Sequence, residues 1–158
     1  MNLYHGSNIA IDVIDLRKSK PNKDFGKAFY LSKQKQQAEE MAAFTVERFC
    51  GKPVVTAFEF DETCLKNTQL RYKSFNEYSR EWADFILANR DADTETNIHD
   101  YDIIYGPIAN DSVGRQIFNL KEGYIDFEEF MKRLHFMKGI SFQYAFCTEL
   151  AISKLIRI

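Results

Sequence analysis

The sequence has 158 residues, of which 45% are hydrophobic, 28% charged and 15% aromatic, including 14 Phe and 8 Tyr. This length fits one compact domain over residues 1–158, and the aromatic content predicts a core rich in aromatic rings. The formal net charge of −2 at pH 7 provides no global basic field, which argues against a general nucleic-acid-binding protein.

The first ten residues, Met1 to Ala10, lack the basic segment and the apolar core of a signal peptide. No apolar run in the chain is long enough to cross a bilayer. These features predict a cytoplasmic protein with no membrane partner. The three cysteines, Cys50, Cys64 and Cys147, are widely spaced and form no paired motif, so we expect them to be reduced and structural.

The first half of the chain reads as strands separated by a cationic loop and a helix. The residue pattern predicts strands over 2–7, 28–32 and 54–60, a loop over 17–23 and a helix over about 33–49. Apolar spacing assigns one buried helix face to Ala38, Met41, Ala42, Thr45, Val46 and Phe49.

The second half alternates short strands with helices. We expect strands over 70–72, 101–107 and 142–147, helices over about 74–90, 112–120, 126–137 and 148–155, and an acidic loop over 91–100. Ser74 with Glu77, and Asp126 with Glu129, have the spacing of helix-capping boxes, and Thr148 is placed to cap the last helix. Short alternating strands among helices predict an α+β fold with an antiparallel-rich sheet.

Several residues could bind a flat, polar ligand, although each also has an ordinary structural interpretation. His5 precedes Gly6 near the end of the first strand, so its ring could meet a ribose hydroxyl while the Gly6 backbone meets a carboxamide. A hydrogen-bonded strand histidine is the alternative. Tyr30 follows a constrained turn at residues 24–27, and one of two successive strand aromatics can stack on a planar ring while the other is buried.

Gln143 is the polar member of a strand face that it shares with Ala145 and Cys147, and a buried glutamine needs hydrogen-bond partners. His99, Asp100 and Asp102 lie close together in sequence, but no further ligands complete a metal site, so we expect no metal. The sequence also lacks GxxxxGK[ST], GxGxxG, GxSxG and HExxH.

Four segments in register, residues 3–7, 23–32, 99–109 and 143–149, resemble a bacterial family with an ADP-ribosyltransferase-like fold. In the diphtheria-toxin and poly(ADP-ribose) polymerase branch of that superfamily, a histidine, a tyrosine and a glutamate on three strands form the signature triad. His5 and Tyr30 match the first two positions, whereas Gln143 stands at the third in place of glutamate. The resemblance implies a split, antiparallel-rich β-sheet with peripheral helices.

The resemblance also implies an NAD-dependent ADP-ribosyltransferase that uses NAD as a substrate and needs no metal. It assigns His5, Tyr30 and Gln143 to catalysis, with His5 on the ribose hydroxyls and Tyr30 stacked on the nicotinamide ring. The residues expected to contact NAD are Gly6, Ser7, Arg17, Phe25, Gly26 and Asn89. Arg17, Arg71 and Arg90 are candidates for the pyrophosphate, because guanidinium groups suit bidentate phosphate contacts.

Glutamine can orient the ribose but cannot accept a proton at neutral pH, so it cannot act as a general base. The sequence therefore predicts an acceptor that needs no base, or a base supplied by Glu149, Asp102 or the target. The first hypothesis is transfer of ADP-ribose to a protein acceptor by a toxin or regulatory enzyme, with an inhibitory partner protein left open. The alternatives are an NAD glycohydrolase and a catalytically inactive module that binds NAD or a protein. RNA 2′-phosphotransferase chemistry is disfavoured by the sparse basic clusters.

Overall fold

The computed structural model describes residues 1–66, 69–92, 94–135 and 139–158. In these ranges the chain forms seven strands, five α-helices and two short 3₁₀ helices at Leu16–Lys18 and Glu62–Lys66. The strands are β1 (Asn2–Ser7), β2 (Phe29–Leu31), β3 (Val54–Phe60), β4 (Tyr72–Ser74), β5 (Ile103–Pro107), β6 (Phe142–Phe146) and β7 (Leu155–Arg157). The helices are α1 (Lys35–Phe49), α2 (Arg80–Asp91), α3 (Asp111–Lys121), α4 (Phe127–His135) and α5 (Glu149–Ile152).

The strands form two sheets, which confirms the α+β prediction. One sheet has the order β1-β3-β7 and is antiparallel throughout. The other has the order β2-β6-β5-β4, in which β4 and β5 are parallel and the remaining pairs are antiparallel. A single isolated bridge between Tyr4 and Ser32 connects β1 to β2 in the described part of the chain.

The core consists of two hydrophobic clusters, and the β2-β6-β5-β4 sheet contributes to both. Leu3, Phe58, Phe60 and Phe146 belong to the cluster between the two sheets and are buried. The second cluster lies between the β2-β6-β5-β4 sheet and helices α2, α3 and α4. It is built from Phe25, Trp82, Ile86, Ile104, Val113, Phe130, Leu134 and Ala145, among others. The indole N–H of Trp82 donates to the Pro107 carbonyl at 3.1 Å, so the largest core side chain leaves no polar group unpaired.

Helix α2 begins later than the sequence predicted, and the capping-box assignment to Ser74 is wrong. Ser74 lies in β4, and its hydroxyl bonds the Asn76 side chain. Ser79 is the actual cap, because its hydroxyl accepts from the Trp82 N–H at 3.1 Å. The predicted caps at Asp126 and Thr148 are confirmed, since their side chains accept from the Glu129 and Ala151 N–H groups.

Other boundaries shift for identifiable reasons. The predicted strand over 70–72 lies two residues later, at Tyr72–Ser74, where it pairs with β5. The predicted last helix ends at Ile152, and residues 155–157 instead form β7 on the edge of β3. Residues 136–137 of the predicted fourth helix, and residue 93 of the predicted acidic loop, lie outside the described residues.

The predicted buried face of α1 is only partly correct. Ala38 and Ala42 are buried, but Met41 and Phe49 are 53% and 61% exposed. Small residues face β1 because the helix packs tightly on that strand, as Gly6 shows below. None of the helices in the described ranges is long and apolar enough to cross a membrane.

Candidate functional site

A cavity of about 1090 Å³ opens where β1 and β2 part, between α1 and residues 8–24. His5, Tyr30 and Gln143 all line it, together with Gly6 and Ser7. Its volume slightly exceeds the usual range of small-molecule and cofactor sites, roughly 300–1,000 Å³. The structure thus brings the three proposed catalytic residues to one cavity, although they come from three separate strands.

The strands part immediately after the bridge between Tyr4 and Ser32. The main-chain N–H groups of these two residues donate to each other's carbonyl oxygens at 2.8 and 2.9 Å. A continuing antiparallel ladder would next place Gly6 opposite Tyr30. Instead, the Tyr30 carbonyl oxygen accepts from Nδ1 of His5 at 2.8 Å.

This divergence leaves the backbone of Gly6 at an open strand edge. Main-chain groups two residues apart in a strand point to the same side, so the Gly6 N–H and C=O face the edge at which Tyr4 bonds Ser32. Among the described residues, the hydrogen bonds outside the regular strands give neither Gly6 group a partner. One donor and one acceptor are therefore presented together beside His5.

The hydrogen bond to Tyr30 fixes the protonation pattern of His5. A carbonyl oxygen can only accept, so Nδ1 carries the proton and Nε2 of the neutral ring is an acceptor. Burial lowers the pKa of His5 below its ordinary value, and this effect outweighs the opposing bond to the Tyr30 carbonyl. The ring also stacks on Phe29, with centroids 4.4 Å apart. The imidazole is thus neutral at pH 7, oriented, and able to accept a hydrogen bond from a hydroxyl through Nε2.

Tyr30 is held by its hydroxyl group, which donates to the Gly26 carbonyl at 2.6 Å and accepts from the Phe25 N–H at 3.2 Å. Burial raises the pKa of this phenol well above its usual value, so it stays protonated. The ammonium of Lys23 lies 5.0 Å from the centre of the ring. The hydroxyl therefore serves the turn at residues 25–26, and the ring is the part of Tyr30 that can meet a ligand.

Gln143 lies on β6 opposite Gly106 of β5 and is half-buried at the cavity wall. Its amide can donate and accept hydrogen bonds but cannot take a proton. The two carboxylates that the sequence offered as substitutes do not line this cavity. Asp102 accepts from the Thr148 hydroxyl at 2.7 Å and the Arg71 N–H at 2.8 Å, and Glu149 is exposed at the start of α5.

The packing of α1 against β1 also requires a glycine at position 6. A Cβ built at this position would lie 1.8 Å from the Ala38 carbonyl oxygen and 2.8 Å from the Ala42 nitrogen. No side chain fits there, because real Cβ atoms essentially never come closer than 3.0 Å to another heavy atom. The backbone of α1 therefore lies directly against β1, and this contact forms one wall of the cavity.

Four other residues that the sequence assigned to NAD lie outside the lining of this cavity. Phe25 is fully buried and stacks on Phe75, with centroids 6.2 Å apart. Gly26 and Asn89 line a separate hollow of about 10 Å³, room for a single water. The side chain of Arg17 is 90% exposed and pairs with Asp15.

The charges of the cavity lining are unevenly paired. The three lining carboxylates, Asp12, Asp15 and Asp24, form ion pairs with Arg157, Arg17 and Arg90 at 2.6, 2.9 and 2.6 Å. Four lining cations, Lys18, Lys20, Lys23 and Arg48, have no ion pair among the described residues. The cavity is thus locally cationic in a chain whose net charge is −2. Of the arginines predicted to meet a pyrophosphate, only Arg90 lies in the lining, and Arg71 pairs with Asp100 and Asp102.

Sequence reasoning missed the apolar rim of the cavity. Ile9, Val13, Met41, Phe44 and Phe49 line it and are each more than half exposed. Arg48 and Lys20 stand over the Phe44 and Phe49 rings, at 5.4 and 5.8 Å from the centroids. A signal for this surface was present, because Phe44 lies outside the predicted buried face of α1.

Both ring nitrogens of His99 form hydrogen bonds within the protein. Its Nε2 donates to the Phe25 carbonyl at 3.0 Å, and its Nδ1 accepts from the Tyr101 N–H at 3.3 Å. Burial lowers the pKa of this ring, which therefore stays neutral at pH 7. In the described ranges, no group of three or more His, Cys, Asp or Glu side chains is placed to hold a metal ion.

The chain is similar to a known protein family. The model of the family described as "Protein of unknown function (DUF3990)" matches residues 1–156, nearly the whole chain. No curated protein and no solved structure matches the sequence.

Proposed function

The chain belongs to the DUF3990 family, and from its site we propose that it is an NAD-dependent ADP-ribosyltransferase with an ADP-ribosyltransferase-like fold. The observation that carries this proposal is the convergence of His5, Tyr30 and Gln143 on one cavity at the divergence of two sheets. The proposed acceptor is a macromolecule of the protein class. The proposed role is that of a cytoplasmic toxin or regulatory enzyme. Control by an inhibitory partner protein is compatible with such a role.

The nicotinamide end of NAD suits the groups at the strand divergence. A carboxamide has one acceptor and two donor hydrogens, and the unpaired N–H and C=O of Gly6 offer the complementary pair. The Tyr30 ring offers a flat surface for stacking. Nε2 of His5 would accept a hydrogen bond from a ribose hydroxyl, because Nδ1 is committed to Tyr30.

Breaking the bond between the ribose and nicotinamide develops positive charge on the ribose. A group that holds the 2′-hydroxyl in place stabilises that charge, and the Gln143 side-chain oxygen is the proposed group. The pyrophosphate would meet the unpaired cations of the lining, where Arg48 supplies a guanidinium fork and the lysines supply point charges.

One observation favours a second candidate. Every carboxylate in the lining is already paired with an arginine, and Gln143 stands where a glutamate would serve as a base. An inactive module that binds NAD or a protein without turnover would have such a lining. An NAD glycohydrolase needs a base to activate water, so the lining favours it less.

Calorimetry with NAD and chromatographic detection of nicotinamide test the proposal together. We expect NAD to bind and nicotinamide to appear, with radiolabelled ADP-ribose joined to protein when labelled NAD and a lysate are supplied. His5→Ala should abolish turnover, whereas His135→Ala, which removes an exposed imidazole outside the lining, should not. NAD binding without nicotinamide release would support the inactive module. Nicotinamide release without labelled protein would support the glycohydrolase. No NAD binding would refute the transferase, the glycohydrolase and the NAD-binding form of the inactive module.

A further inference from the structure

We propose that Lys23 is a specificity-determining residue, whose ammonium makes the subsite at the Tyr30 ring select uncharged planar rings over cationic ones. This inference rests on the proposed function, because it concerns the nicotinamide end of the same cavity. It follows from the position of Lys23 over Tyr30, from the absence of a free counter-ion among the described residues, and from the way in which the turn at residues 23–28 is held.

The ammonium of Lys23 lies where a planar ligand would stack. Its Nζ is 5.0 Å from the centre of the Tyr30 ring, within the distance of roughly 6 Å at which an aromatic face attracts a cation. The Tyr30 hydroxyl is bound to Gly26 and Phe25, which fixes the ring relative to the turn that carries Lys23. A ligand ring that stacks on Tyr30 therefore lies close to this positive charge or has to displace it.

The charge of Lys23 has no free anion beside it in the part of the chain that the structure describes. Asp24 is the adjacent residue, and both of its carboxylate oxygens are occupied. Oδ1 accepts from Nε and Nη2 of Arg90 at 2.9 and 2.6 Å, and Oδ2 accepts from the Ala109 N–H at 3.0 Å. The other carboxylates of the lining are also paired with arginines. The positive charge therefore remains available to act on a ligand.

The charge of Lys23 also acts on the neighbouring groups of the site. Burial is the main cause of the lowered pKa of His5, and the positive charge of Lys23 adds to it. Desolvation and the charge of Lys20 lower the pKa of Lys23 itself, against the opposing charge of Asp24. A cationic ring at Tyr30 would meet the same repulsion as a proton on His5.

The turn that carries Lys23 is fixed by hydrogen bonds to its main chain. The Lys23 carbonyl oxygen accepts from the Gly26 N–H at 3.0 Å. The side chain of Asn97 accepts from the Lys27 N–H at 2.6 Å and donates to the Lys27 carbonyl at 2.9 Å. The base of the Lys23 side chain is thus held beside Tyr30, and only its flexible stem can move the ammonium.

The nicotinamide ring is cationic while it is joined to the ribose and uncharged after it leaves. When the bond between C1′ and the ring nitrogen breaks, its electron pair passes to that nitrogen and the positive charge stays on the ribose. Lys23 therefore opposes the ring of bound NAD but does not oppose nicotinamide. The Tyr30 subsite favours the ring in the form that it has after cleavage, so the affinity for NAD comes from its other groups.

Two probes that cannot react test this selectivity with the full chain. Nicotinamide is uncharged, and N1-methylnicotinamide has the same ring and carboxamide with a fixed positive charge. By NMR titration, we expect the native chain to bind nicotinamide at least about fivefold more tightly, a modest ratio because solvent screens the exposed Lys23. Lys23→Gln should lower this ratio about fivefold, and Lys23→Arg should preserve it.

Two other lysines provide matched controls. Lys20→Gln removes the cation that stands over Phe49, and Lys52→Gln removes an exposed charge outside the cavity lining. Both should leave the ratio within about twofold of the native value, because neither ammonium stands over Tyr30.

The outcomes separate this inference from the proposed function. Equal binding of the two probes by the native chain, or an unchanged ratio in Lys23→Gln, would refute the role of Lys23 even if the chain cleaves NAD. Binding of neither probe would refute the subsite itself. A ratio that responds as expected, in a chain that releases no nicotinamide from NAD, would retain the charge selectivity and remove the transferase.

Discussion

His5 and Tyr30 are joined by a hydrogen bond from a side chain to a main chain, with Nδ1 of His5 lying 2.8 Å from the Tyr30 carbonyl oxygen. The bond spans the point at which the two sheets separate. The imidazole therefore links the two sheets and is also the proposed ribose-binding group. These two roles can be separated, because the ring also stacks on Phe29.

His5→Phe should retain the stacking and lose both nitrogens. We expect the free energy of unfolding to fall by about 1 kcal/mol, the net value of one hydrogen bond. Nicotinamide release should fall by at least about 100-fold, as is usual when a catalytic polar group is removed. Urea denaturation and a chromatographic assay measure the two effects. A variant as active as the native chain would contradict the catalytic assignment.

Tyr30→Phe should lower the stability of the protein but leave its affinity for NAD nearly unchanged. It removes the hydroxyl that bonds Gly26 and Phe25 but keeps the ring, so we expect a loss of roughly 1–3 kcal/mol of stability from the unpaired groups. The affinity for NAD should change by less than about twofold, because stacking needs only the ring. Chemical denaturation and calorimetry provide the comparison. A large loss of affinity in a stable variant would mean that the hydroxyl contacts the ligand.

Gly6→Ala should be strongly destabilising, because its Cβ would lie 1.8 Å from the Ala38 carbonyl oxygen. Overpacking of this kind costs about 1–3 kcal/mol or more, and here the obstacle is backbone. Gly114→Ala is the matched control. Its Cβ would meet the Arg90 side chain at 3.2 Å, and alanine favours the helix, so the change in stability should stay within about 1 kcal/mol. Equal melting temperatures for the two variants would show that α1 can move away from β1.

The stability of the protein should fall on acidification below the ordinary histidine pKa of 6.5. Burial holds the folded-state pKa of His99 below that value, against the opposing influence of the Phe25 carbonyl and Asp100. The folded state thus binds fewer protons than the unfolded state in this window. The contribution of neutral His99 to the free energy of unfolding is therefore complete above pH 6.5. It is lost as pH falls through the folded-state pKa. Protonation of Nδ1 would also remove the acceptor for the Tyr101 N–H.

Urea denaturation between pH 7.5 and 5.5 measures this dependence. His99→Gln should flatten the curve in part, and the remaining slope should come from His5, whose pKa is lowered in the same direction. A native curve that is flat across this range would contradict the neutral state of both rings.

Gln143→Glu should introduce an unpaired carboxylate, which the described part of the native lining lacks. We expect nicotinamide release into water to rise by about tenfold or more, since general bases contribute at least that much. Gln143→Ala serves as the control, and it should lower turnover by removing the group that orients the ribose. If the glutamate variant hydrolyses NAD no faster than the native chain, the orienting group and the base lie elsewhere.

Local chemistry predicted much of the fold. The bounds of β1 and β3 agree with the predicted 2–7 and 54–60, because alternating side chains and turn residues mark their ends. The caps at Asp126 and Thr148 depend on contacts three residues away and were also predicted. The helix start at Ser79 was missed because Ser74 offered an equally good local pattern, and only its pairing in β4 removes it from the helix. β7 is three residues long and exists only through pairing with β3, which sequence periodicity cannot reveal.

The candidate site was less accessible to sequence reasoning. His5, Tyr30 and Gln143 were singled out by their strand positions, and a resemblance supplied their catalytic roles. Their common cavity depends on how two sheets meet. The ion pairs that occupy Asp12 and Asp24 join residues 145 and 66 positions apart. No local pattern encodes such separations. The position of Lys23 over the Tyr30 ring was likewise not predicted, because the sequence shows Lys23 only as one of several cations in a polar loop.

The single bridge from Tyr4 to Ser32 gives the two sheets a narrow junction in the described part of the chain. A molecule bound by His5 of one sheet and Gln143 of the other would add a second connection between the two sheets. Occupancy should therefore slow amide hydrogen exchange along β1 and β2 together, including at positions that the ligand never touches.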